Sequence, residues 1–155
     1  MFRKYFFIII FSISGTASAQ YLTYSELVGL LNIAHDDVKV DTYLENKGYG
    51  FSSLSDDKCT RKYKKVKAEY YYSCHVFTYL DSKIASSVTI LSDDVALWNH
   101  YIQIVNANGY KQASSTPTND GGSWSTYGNN EYELTMILSR GVKIDSYIIG
   151  VKWKY

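Results

Sequence analysis

Proline is nearly absent from this 155-residue chain, where Pro117 stands alone, and cysteine occurs only twice. Neither charge sign dominates, with 16 basic and 15 acidic residues. Each scarcity excludes something. One proline leaves no proline-rich linker between domains. Two cysteines without C-x-x-C spacing fall short of a zinc centre or a multi-bridge scaffold. Balanced charge removes the global electrostatic argument for nucleic acid. Past residue 19 no apolar run approaches the roughly 20 residues that cross a bilayer, so no stable membrane insertion is expected. Also missing are G-x-S-x-G, H-E-x-x-H and the P-loop, and Asn119-Asp120-Gly121-Gly122 reads as a turn rather than a phosphate cradle. The sequence therefore supplies no cofactor or metal site.

What is present begins with a leader. Arg3 and Lys4 precede the apolar run Tyr5 to Ile13; Ser14, Gly15 and Thr16 break it, and Ala17-Ser18-Ala19 offers small residues at alternate positions. That order is a cleavable secretion signal over 1–19, which predicts a mature chain from Gln20 in a periplasm or outside the cell. Residues 20–155 are of one-domain size. With Arg3 and Lys4 removed, 14 basic residues face the 15 acidic ones.

Helix signals come first in the mature chain. Thr23 and Glu26 form a capping box ahead of Leu27, Leu30, Leu31 and Ala34, and an Asp in His35-Asp36-Asp37 caps a second segment that ends at Gly48. Strand-like runs follow at Tyr49 to Leu54, through the basic stretch to Lys67, at Glu69 to Tyr79 and at Ser86 to Leu91. Asp93 is expected to cap a third helix that stops at Asn108-Gly109. Strands resume at Tyr110 to Ser115, Trp124 to Tyr127, Glu131 to Leu138 and Ser146 to Trp153. Sliding the chain along itself until Gly48-Tyr49 meets Gly109-Tyr110 also brings Tyr71 onto Tyr132, Tyr63 onto Trp124, Phe77 onto Leu138 and Val88 onto Ile149. The pattern predicts an α+β domain: a tandem repeat of a helix-plus-three-strand unit, about 23–91 and 92–155, forming one antiparallel sheet with helices packed on one face.

Alternation in the second copy puts Tyr132, Leu134, Met136 and Leu138 against the helices, with Tyr147, Ile149, Val151 and Trp153 beside them. The same register carried back places Tyr71, His75 and Phe77 inside, and Tyr70, Tyr72, Cys74 and Val76 on the open face. A hairpin turning near Val66-Lys67 would set Cys59 opposite Cys74 and favour a disulfide in an oxidising compartment, worth about 3 kcal/mol. In architecture alone, with no sequence motif carrying it, this arrangement resembles duplicated helix-plus-sheet modules such as the beta-lactamase inhibitor proteins. The resemblance implies a sheet that presents aromatic residues to a protein.

The open face supplies the candidate binding residues Tyr70, Tyr72, Trp124 and Tyr127, since tyrosine and tryptophan bring contact area at low entropic cost. Lys58, Arg61, Lys62, Lys64, Lys65 and Lys67 crowd ten positions, and Arg61, Lys62, Lys64 and Lys65 are the candidates for docking an anionic partner. Weighed against that, charge runs more often solvate a hairpin and protect an edge. The expected function is a non-enzymatic binding protein, inhibitor-like or immunity-like, with a protein or an envelope glycan as partner. The alternatives are a small extracytoplasmic enzyme built on His35 or His75, and a structural envelope component that associates with itself.

Overall fold

The computed structural model describes residues 21–67, 70–79 and 82–154, and the expected leader, 1–19, lies outside them. The chain runs α1 (Tyr24–Ile33), α2 (Asp37–Asn46), β1 (Gly50–Leu54), β2 (Thr60–Lys67), β3 (Tyr70–Tyr79), β4 (Ser82–Ser92), α3 (Val95–Ala107), β5 (Lys111–Pro117), β6 (Ser123–Gly128), β7 (Tyr132–Ser139) and β8 (Ser146–Trp153). Local chemistry fixes the helix ends. Glu26 Oε2 accepts from the Thr23 backbone N–H at 2.7 Å, closing the reciprocal half of the capping box. Asp36 Oδ1 accepts from the Lys39 N–H at 3.1 Å at the start of α2. At α3 the cap is Asp94, accepting from Ala96 N–H at 2.9 Å, and not the expected Asp93, whose Oδ1 accepts from the Tyr71 N–H at 3.0 Å. Gly48 and Gly109 follow α2 and α3 with φ of 80° and 66°, a left-handed turn that glycine adopts without steric cost.

All eight strands form one antiparallel sheet in the order β1-β2-β3-β4-β8-β7-β6-β5. The fold is α+β. Its two runs of four strands meet at β4 and β8, where Val88 pairs with Val151 and Ile90 with Ile149. The three helices pack on the side these residues face: α1 against β4 and β8, α3 against β8, and α2 against β1. Leu27, Leu30, Leu44, Leu97 and Tyr101 from the helices meet Val76, Ile90, Leu134, Met136 and Ile149 from the sheet in one buried core. Each run, then, has four strands, and the first carries two helices, so the expected three-strand unit is too short.

The expected inward sets on β7 and β8 hold: Leu134, Met136, Ile149 and Val151 are buried. On β3 the faces are reversed. Tyr72, Cys74 and Val76 are buried against the helices, while Tyr71, His75 and Phe77 occupy the opposite, part-exposed side. The reason lies in the hairpins. In the first half Leu54 pairs with Arg61, whereas Ser115, the residue matched to Leu54 by the glycine register, pairs with Ser125. The hairpin between β5 and β6 is longer than its counterpart, and the slide that brings Ser92 onto Trp153 carries Tyr72, the partner of Ser92, one residue past Tyr132, the partner of Trp153, so no single slide superimposes the outer and the middle strands. Because Tyr70-Tyr71-Tyr72 is aromatic on both faces, alternation within β3 could not reveal the slip.

The register of β2 against β3 undoes the disulfide. β2 continues through Lys67, which pairs with Tyr70 at the start of β3, a different register from the one a hairpin turning near Val66-Lys67 would set. Cys74 consequently pairs across the ladder with Tyr63, and Cys59 O accepts from the Thr78 N–H at 2.9 Å. Both cysteines are free thiols, Cys74 buried and Cys59 half-buried at the end of a hairpin. Burial pushes the Cys74 thiol far above its ordinary pKa, which makes it an inert core side chain.

Candidate functional site

Direct pairing across the strands sorts the helix-free side of the sheet into rows. A central row runs Lys62, His75, Thr89, Gly150, Thr135 and Thr126 from β2 to β6, and Ser114 of β5 ends it by sharing a 2.6 Å hydrogen bond with Thr126 Oγ1. Beside it lies an apolar row of Leu91, Ile148, Ile137 and Trp124. On the other flank, Lys152 Nζ pairs with Glu133 at 3.0 Å, next to Ser87. The floor between the flanks, centred on Gly150, forms a hollow of about 320 Å³, near the lower end of ordinary ligand-pocket volumes of roughly 300–1,000 Å³.

Gly150 creates the depth. It sits in the interior of a central strand, where glycine costs conformational entropy and offers no side chain to the ladder. A Cβ there would stand 3.3 Å from Thr89 Oγ1 and 3.8 Å from Thr135 Cβ, filling the floor between the two hydroxyls. Trp124 is 52% exposed at the margin and presents its ring beside the hydroxyl row. The two charged groups lining the hollow, Lys152 and Glu133, are paired with each other.

Of the aromatic residues expected on this face, only Trp124 is there. Tyr72 is fully buried on the helix side, its hydroxyl donating to Asp94 Oδ2 at 2.6 Å. Tyr70 and Tyr127 are part-buried and pack against the core. The basic residues divide between the two faces, because neighbours along a strand point opposite ways. Lys62 and Lys64 belong to the open side. Arg61 lies on the helix side, where its Nη2 donates to both oxygens of Asp41 at 2.8 Å and its Nη1 donates to Asp37 at 3.1 Å. Lys65 donates to Lys47 O at 2.9 Å, with its ammonium 5.3 Å from the Tyr49 ring centroid. The cluster is therefore no single patch: half of it ties the hairpin to α2 and its C-terminus.

Each histidine proposed for catalysis meets a serine. His75 Nε2 lies 2.9 Å from Ser73 Oγ, and His35 Nε2 lies 2.7 Å from Ser86 Oγ. In both pairs the serine is buried, Ser73 at 3% and Ser86 at 0% exposure, so neither hydroxyl is presented to a substrate. Burial, and after it the charge of Lys62, holds His75 below the ordinary imidazole pKa. His100, expected outside, is half-buried against Tyr21 and Tyr101 at 5.3 and 5.1 Å, and its Nε2 has no hydrogen-bond partner among the described residues. The expected turn at Asn119-Asp120-Gly121-Gly122 is present. Asp120 there accepts from the Ser139 hydroxyl, the Thr118 hydroxyl and the Gly122 and Arg140 N–H groups, which hold its carboxyl well below the usual range.

Thr89, Thr126, Thr135 and Gly150 escaped the sequence reading because hydroxyl residues on a strand resemble any solvated face. One signal for them existed, a glycine inside a strand whose neighbours Ile149 and Val151 are core residues. Comparison of the chain with protein-family models, with characterised proteins and with solved structures finds no match.

Proposed function

We propose that this chain is an exported, non-enzymatic binding protein that recognises a macromolecule with the helix-free face of its sheet. In this reading the leader over 1–19 is removed and the mature chain begins at Gln20. The domain then consists of two copies of one helix-and-strand unit, joined through β4 and β8. The observation that carries the proposal is the hollow at Gly150: a floor of hydroxyls, an exposed tryptophan at its margin, and no described element covering it. A strand-interior glycine in the middle of a sheet is a packing sacrifice that a close-approaching ligand explains. The basic hairpin is secondary, with Lys62 and Lys64 bordering the same face from β2.

The reading is tested by capture from an envelope fraction with mature protein, 20–155, at low and physiological salt, alongside Trp124→Ala. Saturable retention of one partner by the parent and its loss with Trp124→Ala is the expected result. Equal retention by both proteins would show that the hollow is not the recognition surface. N-terminal sequencing of the exported protein checks the leader separately, with Gln20 expected as the first residue.

A further inference from the structure

We infer that the hollow over Gly150 binds an uncharged carbohydrate chain, laid across the strands with one sugar ring against Trp124. The inference rests on the binding-face reading above and names the chemistry of its ligand. Three observations point the same way. First, the floor is a line of alcohols, Thr89, Thr135 and Thr126 continued by Ser114, which both donate and accept hydrogen bonds as sugar hydroxyls do. Second, Trp124 offers an amphipathic ring at the border of that line, a surface for the C–H face of a pyranose. Third, the lining contains one cation and one anion, Lys152 and Glu133, already paired at 3.0 Å. A charged ligand would find no counter-charge in the hollow, whereas a neutral polyol finds matched donors and acceptors.

Dimensions agree with the chemistry. The hydroxyls of Thr135, Thr126 and Ser114 stand on neighbouring strands and that of Thr89 two strands from Thr135 across Gly150; the strand spacing of about 4.8 Å is close to the advance of one pyranose in an extended chain. The flanking rows, at Ile148 and Lys152 of β8, are four residues apart, about 13 Å along the strand, which leaves a single-file channel once their side chains are in place. Gly150 keeps the channel open at its midpoint, since a methyl group there would press on Thr89 Oγ1. A docking protein would need large apolar anchors at the centre of its interface. Here the apolar row of Ile137 and Ile148 lies at one side, and the centre is Gly150 between Thr89 and Thr135, with no projecting apolar side chain.

The test titrates mature protein with soluble neutral gluco-, manno-, galacto- and xylo-oligosaccharides, each to about 10 mM, well above a weak millimolar site. Calorimetry and tryptophan fluorescence provide the readouts. At least one series is expected to saturate, to tighten with chain length until the channel is filled, and to change less than about two-fold between roughly 0.05 and 0.5 M NaCl. Trp124→Ala is expected to weaken binding about ten-fold or more, and Thr135→Val, which keeps side-chain shape, about three-fold. Thr126→Val, nearer the sheet edge, replaces Thr135→Val if the latter does not fold.

No saturation with any of the four series overturns the inference, as does binding that Trp124→Ala and the valine variants leave unchanged. Binding restricted to acidic saccharides and lost on Lys62→Ala overturns it too. If no sugar binds while a captured protein partner still depends on Trp124, the carbohydrate inference fails and the binding-face reading stands. If neither sugar nor captured partner depends on Trp124, both fail.

Discussion

The two runs of four strands carry one pairing scheme and different chemistry on their helix-facing sides. In the first, tyrosines reach from the sheet to carboxylates at helix starts: Tyr63 donates to Asp41 in the first turns of α2 at 2.6 Å, and Tyr72 donates to the α3 cap Asp94 at 2.6 Å. In the second, hydrocarbon from Leu134, Met136, Ile149 and Val151 fills the corresponding region, and Ser115 and Ser125 share a 3.0 Å hydrogen bond across the outer hairpin. The first run therefore gains directional attachment of its helices and depends on ionised groups, while the second relies on non-directional burial. On the open face the asymmetry turns around. The first run presents Lys62, Lys64 and His75, and the second presents Trp124 and most of the hydroxyl hollow, which Ser87 and Thr89 of β4 complete.

The largest break in this comparison is expected at Asp94. Asp94→Ala removes the α3 cap and strands the buried Tyr72 hydroxyl, a combined loss of about 3 kcal/mol in urea denaturation. Ser125→Ala in the other run should stay within about 0.5 kcal/mol. A loss below about 1 kcal/mol for Asp94→Ala would show that the carboxylate tie is not what holds α3 to the sheet.

Asp41→Ala is a milder version of the same test. Burial raises the Asp41 pKa, but hydrogen bonds from Tyr63 and Arg61 outweigh burial and hold it below its ordinary value of 3.8. A carboxylate depressed in the folded state stabilises only while ionised, so its contribution is present above pH 4 and disappears as pH falls through the folded value. Because Asp41 is 36% exposed and screened, the cost at pH 7 is expected to be about 1 kcal/mol. Denaturation series at pH 7 and pH 2.5 should show the parent and variant converging in acid.

His100 provides a smaller effect of opposite sign. Burial lowers its pKa below 6.5, so the folded state takes up protons less readily than the unfolded chain. Stability should decline as pH falls from 6.5 toward the folded value and be flat above it. His100→Phe keeps an aromatic ring between Tyr21 and Tyr101, removes the unpartnered nitrogen, and is expected to raise stability by about 0.5 kcal/mol while flattening that slope. The smallest effect belongs to Cys59. Cys59→Ser and added reductant should each leave the melting temperature unchanged within error, whereas a fall on reduction would reinstate a bridge and contradict the β2–β3 register.

How much of this was legible in the sequence follows from where the residues sit. Capping chemistry is local, so Thr23 with Glu26, Asp36 and the glycines after α2 and α3 marked the helices correctly, and only Asp94 for Asp93 was off by one. On β7 and β8 apolar and polar residues alternate cleanly, so Leu134, Met136, Ile149 and Val151 were placed on the right face. β3 was illegible because Tyr70, Tyr71 and Tyr72 satisfy either face. The candidate site suffered most. Trp124 lies on the open face, Tyr70, Tyr72 and Tyr127 fell on the helix side, and the threonines of the hollow carried no signal of their own.

The sequence by itself determined the helix starts and stops, the existence of the eight strands and the α+β class, because capping, turn chemistry and periodicity act over a few residues. Only the tertiary structure decided which face of β3 is inside, which residues oppose Cys59 and Cys74, and that Thr89, Gly150, Thr135 and Thr126 form one line. Those outcomes depend on hairpin length and cross-strand pairing between distant segments, where a one-residue slip exchanges the two faces of a strand.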